Sequence, residues 1–194
     1  ALSGLAVGAI SFNNIPANVR VPLFYAEMDN SQAGYFTQAQ RTLLIGQKLA
    51  AGTAAANTPI LVSRTDEAKT LFGIGSMPAP MHEIYRQNDS FAEIWCIALS
   101  DNGAGVAATG TVAITGPATG AGTLNLYIGS QRVQVAVAAS DSATTVAAAL
   151  AAAINADTTL PVTAAAVTGT VTCTARHKGT LGNDIKLILN YRGN

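Results

Sequence analysis

The second half of the chain alternates apolar and polar side chains over three stretches between residues 111 and 137. A period of two predicts strands with one buried face. The apolar positions of these predicted strands are Val112, Ile114, Leu124, Leu126, Ile128, Val133, Val135 and Val137. The pair Gly129-Ser130 separates the last two stretches and predicts a tight hairpin.

An alanine-rich helix is predicted at about 142–155. The segment Ser140-Asp-Ser142 offers N-cap residues before it. Val146, Leu150 and Ile154 share one face at helical spacing, so we expect that face to be buried.

Two further strands are predicted near Val162–Val167 and Thr170–Ala175. The resulting order β-β-β-α-β-β predicts an inserted β-rich domain at 107–183. Its start coincides with the composition shift at 101–105, after which Thr, Ala, Val and Gly dominate. The apolar segment Ile185–Tyr191 is then expected to return as a strand to the layer that precedes the insertion.

The chain before the insertion predicts a small α/β layer at 40–106, which residues 184–194 would rejoin. The order strand, helix, helix, strand indicates such a layer. Its predicted elements are a buried strand at 40–46, a short strand at 60–62, a helix running from a capping box at Ser63-x-x-Asp66 to Gly73, a helix at Met77–Asn88 and a strand at Phe91–Leu99.

The strand predicted at 91–99 is apolar on both faces. One face carries Ile94, Cys96 and Ala98, and the other carries Trp95, Ile97 and Leu99. This pattern is typical of a strand covered on both sides. The fold class predicted for the whole chain is mixed α/β (α+β).

Residues 10–31 are apolar and strand-prone, yet Pro16 and Pro22 interrupt them. Proline lacks an N–H and is confined to edge strands, strand starts or bulges. We therefore expect residues 1–39 to form an extended N-terminal arm that adds a strand to another sheet edge. Its expected anchors, as intersubunit contacts, are Phe12, Ile15, Val19, Val21, Leu23, Phe24 and Tyr25.

Only 11% of the residues are charged, while 49% are hydrophobic. Eleven basic and eleven acidic residues cancel, which argues against a nucleic-acid-binding surface. Low charge suits a subunit that packs against copies of itself, because interface cores are depleted of charge. The apolar runs are too short to span a bilayer, so direct membrane insertion is not expected.

The candidate chemical residues favour structural roles. His82-Glu83 lacks the second histidine of a zinc-protease motif, because Arg86 stands there, so a surface or interface histidine is expected. His177 is expected to be a solvated loop residue. Cys96 and Cys173 are expected to be reduced, buried core residues. The glycines at 73 and 75 are not followed by a phosphate-loop lysine, so they are expected to form a structural turn. Taken together, these residues predict no catalytic, cofactor or metal site. The chain is therefore not expected to be an enzyme.

Three segments resemble contractile tail sheath proteins of the Mu-like bacteriophage family: residues 10–31, residues 63–78 with a helix, a glycine turn and a second helix, and Gly179–Ile185 with a glycine-asparagine turn. The resemblance implies a structural subunit that polymerises around a tail tube and contracts to drive the tube through the host envelope. It implies an arm that ties each subunit to its neighbour.

The same resemblance identifies the chain as an N-terminal fragment without the family's C-terminal domain. It implies partners among neighbouring sheath subunits, the tail tube protein through that domain, and baseplate and tail terminator proteins. It places the protein in the virion tail after assembly in the host bacterial cytoplasm.

Three alternatives remain open from sequence. The chain could belong to the sheath of a phage-derived contractile injection or bacteriocin particle. Its β-rich domain could be a binding or adhesion module. An α/β enzyme would need convergent polar groups around a pocket, and the sequence offers no such constellation.

Overall fold

The computed structural model describes residues 41–191, in which helices and strands form three small sheets. The predicted mixed α/β class is confirmed. The predicted arm and its seven anchors lie outside the described residues. The elements are β1 (Arg41–Gln47), β2 (Pro59–Leu61), α1 (Thr65–Phe72), α2 (Pro78–Asn88), β3 (Glu93–Leu99), β4 (Ala107–Ala113), β5 (Gly122–Ile128), β6 (Gln131–Val137), α3 (Ala143–Ala156), β7 (Val162–Val167), β8 (Thr170–Lys178), a 3-10 helix (Thr180–Asp184) and β9 (Leu187–Leu189).

The first layer, residues 41–106, is a sheet with strand order β1-β3-β2. Strands β1 and β3 run parallel, whereas β2 is antiparallel to β3. The parallel pair needs a long crossover, which α1 and α2 provide. One face of the sheet packs against these helices and forms a small core. Its fully buried members are Val62, Ala68, Phe72, Ile94, Cys96 and Ala98.

The start of α1 differs from the predicted capping box. Arg64 is the N-cap residue and makes no side-chain cap. The backbone N–H of Ser63 instead donates to the carboxylate of Glu67 at 3.3 Å, so the predicted capping box is wrong, although Asp66 and Glu67 do lie in the first turn. The predicted end is confirmed: the N–H of Gly73 donates to the Lys69 carbonyl, with φ at +90°.

The second layer, residues 107–191, contains two antiparallel three-stranded sheets, β4-β8-β7 and β6-β5-β9. Helix α3 packs against them, and its N-cap Ser142 accepts from the Thr145 N–H at 3.1 Å. The hairpin predicted at 129–130 is confirmed, because Ile128 pairs with Gln131 across it. The core includes the predicted positions Val112, Leu126, Ile128, Val133, Val135, Val146, Leu150 and Ile154.

The last strand does not rejoin the first layer, so that expectation is wrong. Strand β9 pairs with β5, with Leu189 opposite Leu126. The N–H of Asn190 donates to the Asn125 carbonyl at 2.8 Å and extends the pairing. Strand β5 needs a second neighbour to satisfy its other backbone edge, and β9 supplies it. That the insertion is a separable folding unit stays a prediction, now with its end at residue 191.

Candidate assembly surfaces and the junction of the two layers

The glycine turn between α1 and α2 reaches the second layer. Gly75 has φ of +83°, a conformation that side-chain-bearing residues rarely adopt. A Cβ added to Gly75 would lie 2.5 Å from the carbonyl oxygen of Thr158, in the loop after α3. The glycine turn of the resemblance motif at 63–78 is therefore a point of close approach between the layers.

The resemblance motif at 179–185 lies beside the motif at 63–78. Gly179 ends β8 with φ of +110°. A Cβ added to Gly182 would lie within 2.9 Å of the Cβ atoms of Ala108 and Ala175. The absence of a side chain at Gly182 thus lets the 3-10 helix sit directly on β4 and β8.

The two motifs line one cavity of about 480 Å³. Ser76 from the first motif and Leu181 from the second are among its lining residues, together with His177. Ser76 is 2% exposed and His177 is 7% exposed. Within residues 41–191, neither the Ser76 Oγ nor the His177 Nε2 has a hydrogen-bond partner.

Asp101 ties the two layers together beside this cavity. Its carboxylate accepts from the Gln47 side-chain amide at the end of β1 and from the Lys178 backbone N–H on β8, both at 3.0 Å. The His177 Nδ1 lies 3.4 Å from the same carboxylate. One residue just after β3 therefore contacts both an edge of the first sheet and a strand of the second layer.

The expectation that His177 is a solvated loop residue is wrong. Strand β8 continues to Lys178, three residues past its predicted end. Alternation along the strand then places His177 on the same inward face as Cys173 and Ala175, which are buried. Continuing the alternation of side chains from Ala175 by one step would have predicted that His177 is buried.

The expectation that His82 lies at the surface or at an interface is also wrong. His82 is fully buried on α2, and its Nε2 lies 3.0 Å from the Val62 carbonyl. A carbonyl only accepts, so Nε2 carries the hydrogen. Ala79, one turn earlier, is buried on the same helix face. The histidine is a packed, hydrogen-bonded part of the first core.

Both cysteines are free and buried, as predicted. Burial raises the pKa of the Cys96 thiol from 9.0 to about 11. Burial also raises the pKa of the Cys173 thiol. The nucleophilic form is the thiolate, which burial disfavours at both positions. In the part of the chain that the structure describes, no three His, Cys, Asp or Glu side chains cluster closely enough to hold a metal ion.

The face of the first sheet opposite the helices is apolar and exposed. We call it the outer face and define it by Leu43, Ile45, Leu61, Trp95, Ile97 and Leu99. Leu43, Ile45 and Leu61 are 51%, 50% and 45% exposed. The expectation that residues 91–99 are covered on both sides is therefore not met by the described chain, where burial is complete on the helix side alone.

No helix of the described range is long and apolar enough to cross a membrane. No family model matches the chain. The chain is 44% identical over 185 residues to the Mu-like prophage FluMu tail sheath protein of Haemophilus influenzae. Over almost its whole length, the chain is similar to this Mu-like tail sheath protein. The match covers 94% of this chain but 38% of that relative, so the chain spans well under half of its relative's length.

Two of the three segments that carry the tail sheath resemblance lie within the described residues. The structure brings the motifs at 63–78 and 179–185 together at the layer junction. The arm residues lie outside the description. Sequence reasoning missed Asp101 as the residue that joins the layers, because hydrogen bonds between distant segments leave no local pattern. It noted the apolar face of β3 but expected that face to be covered.

Proposed function

We propose that the chain is part of a structural subunit of a contractile tail sheath. In this proposal the subunit polymerises around a tail tube and contracts to drive the tube through the host envelope. The observation that carries it is the 44% sequence identity to a tail sheath protein over 94% of this chain. The low charge supports it, because a surface poor in charge suits packing between copies.

The tether in this proposal is the arm. An extended strand donated to a neighbour contributes main-chain hydrogen bonds, and its alternate side chains add specificity. Such a contact joins two different surfaces of identical subunits, so it repeats without closing and gives an open helix. The residues proposed to anchor it are Phe12, Ile15, Val19, Val21, Leu23, Phe24 and Tyr25.

The proposal extends to partners and place. Neighbouring sheath subunits are the first partners. The tail tube is contacted through a C-terminal domain outside these residues, and baseplate and terminator proteins bind the ends of the sheath. The subunit assembles in the host bacterial cytoplasm and resides in the virion tail. It carries no catalytic role.

Electron microscopy of the subunit expressed at full length tests this function. Tubes are expected from the unmodified protein and none from a variant lacking residues 1–28. A variant lacking only residues 1–9, which lie outside the resemblance, is the matched control and is expected to form tubes. Circular dichroism must show that all three are folded. Normal tubes from the longer deletion would refute the tether, and absence of tubes from the unmodified protein under all conditions would refute the function.

A further inference from the structure

The outer face is one continuous apolar surface across all three strands. The register places Leu43 and Leu61 on either side of Trp95, and it places Ile45 beside Ile97. None of the six positions that define the face is polar in sequence apart from the indole N–H of Trp95. That N–H donates to the Glu93 carboxylate at 2.7 Å.

A polar margin marks one end of this surface. The Arg41 guanidinium lies 3.2 Å from the same Glu93 carboxylate, and this ion pair joins the first residues of β1 and β3. An apolar centre with a charged, hydrogen-bonded margin is the usual composition of a buried contact. The surface is therefore built as an interface and not as a face that meets water.

The strand arrangement leads to the same conclusion. Sheets made entirely of parallel strands are almost always covered on both faces, and β1 and β3 form the parallel part of this mixed sheet. Helices α1 and α2 cover the side that carries Ile94 and Cys96, while Trp95 and Ile97 on the other side are partly buried. The parallel pair therefore favours a covering layer from outside the described residues.

We propose that amphipathic helices of the same subunit, from the part of the sheath protein that these residues do not span, cover the outer face. This inference rests on the proposed function. The supporting observation is length, because more than half of the tail sheath relative lies outside the match. Helices are the usual cover for such a sheet, and they present the broad apolar stripe that this surface needs.

The two other occupants fit less well. A second copy bound face to face would use the same patch on both molecules and close as a two-fold dimer, whereas a sheath must propagate head to tail. Residues 1–40 precede β1 in the sequence, but the proposed function engages them on a neighbouring subunit. Both occupants are nevertheless distinguishable by experiment.

Cysteine labelling of soluble, unassembled subunits tests the proposal. Ile45→Cys reports on the outer face, and Ile84→Cys on the exposed side of α2 is the control, since the native side chains are 50% and 61% exposed. In residues 1–194, both should react rapidly with a maleimide. In the full-length subunit, Ile45→Cys should react at least about tenfold more slowly, because reaction then requires local opening, while Ile84→Cys stays unchanged. Unsubstituted protein gives the background from the two buried thiols.

Each other result overturns the proposal. Slow labelling of Ile45→Cys in residues 1–194, relieved by deleting residues 1–28, would assign the face to the arm. Protection that grows with protein concentration would assign it to a second copy. Fast labelling in the soluble full-length subunit with protection only in tubes would assign it to a neighbour, and fast labelling in both would leave it uncovered. Leu43→Cys repeats the measurement in case Ile45→Cys perturbs folding.

The labelling result and the proposed function can fail separately. Tubes with a reactive Ile45→Cys would leave the sheath function standing and remove the covering layer. A protected Ile45→Cys in a full-length protein that never forms tubes would support the covering layer and refute the sheath function.

Discussion

The two layers of the molecule use strands of similar length but differ in what covers them. In the second layer, two sheets and α3 enclose a common core that contains residues from every strand except β9, whose Leu187 packs against its margin. In the first layer, one sheet packs on two helices, and its other face carries apolar side chains that range from partly buried, at Trp95 and Ile97, to about half exposed, at Leu43 and Ile45. The two cores have no residue in common.

This difference supports the prediction that the second layer is a separable unit, and it agrees with the proposal that the first layer is completed by residues outside the described range. Apolar content alone would not show which layer has a covered sheet, because both layers are rich in apolar residues. What separates them is strand direction: antiparallel sheets can leave one face in water, but parallel pairs rarely do. The following predictions test this contrast, beginning with the largest effect.

The completeness of the second layer is tested by excision. Residues 107–191 should melt cooperatively on their own, as followed by circular dichroism, because their core is enclosed by their own elements. Residues 107–183 should fail to fold cooperatively, because they lack β9 and leave one edge of β5 unpaired. A cooperative melt of 107–183 at the same temperature would show that β9 does not belong to this unit. A disordered spectrum from 107–191 would show that the layer is not separable.

The contrast between the faces of β3 is tested within one strand. Ile94→Ala on the helix side should lower the free energy of unfolding by roughly 2–5 kcal/mol, the usual loss for a buried isoleucine. Ile97→Ala on the outer face should cost clearly less than Ile94→Ala in residues 1–194, because the Ile97 side chain is only partly buried. Urea denaturation measures both. Equal losses would mean that the outer face is already buried in this chain.

Burial on the helix side is tested again at α2. His82→Ala should cost about 1–3 kcal/mol, because it opens space in the core and removes the hydrogen bond to the Val62 carbonyl. Glu83→Ala is the control and should be within about 1 kcal/mol of the unmodified protein, because its salt bridge to Lys69 is partly exposed. A neutral His82→Ala in thermal melts would contradict the packed role.

The smallest effect is a pH dependence at Cys96. Its folded pKa of about 11 exceeds the unfolded value of 9.0, so stability is unaffected below pH 9 and is lost between about pH 9 and pH 11. The loss should be on the order of 1 kcal/mol at pH 10. Comparison with Cys96→Ala removes the contribution of other groups. Identical pH profiles for the two proteins would show that water reaches the thiol.

The sequence was most informative where a pattern is local. The alternation at 124–137 and the spacing of Val146, Leu150 and Ile154 predicted β5, β6 and α3, because one buried face imposes its own period. The glycine after α1 was predictable for a similar reason, since a helix end favours a positive φ.

The error at His177 was local, whereas other errors concern relations between distant segments. Nothing in the apolar segment 185–191 indicates which sheet it joins. Its pairing with β5 depends on the backbone edge of β5 that faces away from β6, and only the folded structure shows that edge. The requirement for glycine at position 75 comes from the Thr158 carbonyl in another layer. The arm, which carries the proposed tether, remains a prediction from the pattern of prolines and apolar residues.

The most direct test of the account is the assembly behaviour of these 194 residues beside the full-length subunit. Sedimentation velocity and electron microscopy should show residues 1–194 as a monomer or as small, concentration-dependent oligomers, because arm and outer face both lack their partners there. The full-length subunit should form long tubes under the same conditions. Helical tubes from residues 1–194 alone would contradict the account, because the arm would then have to bind a surface within these residues.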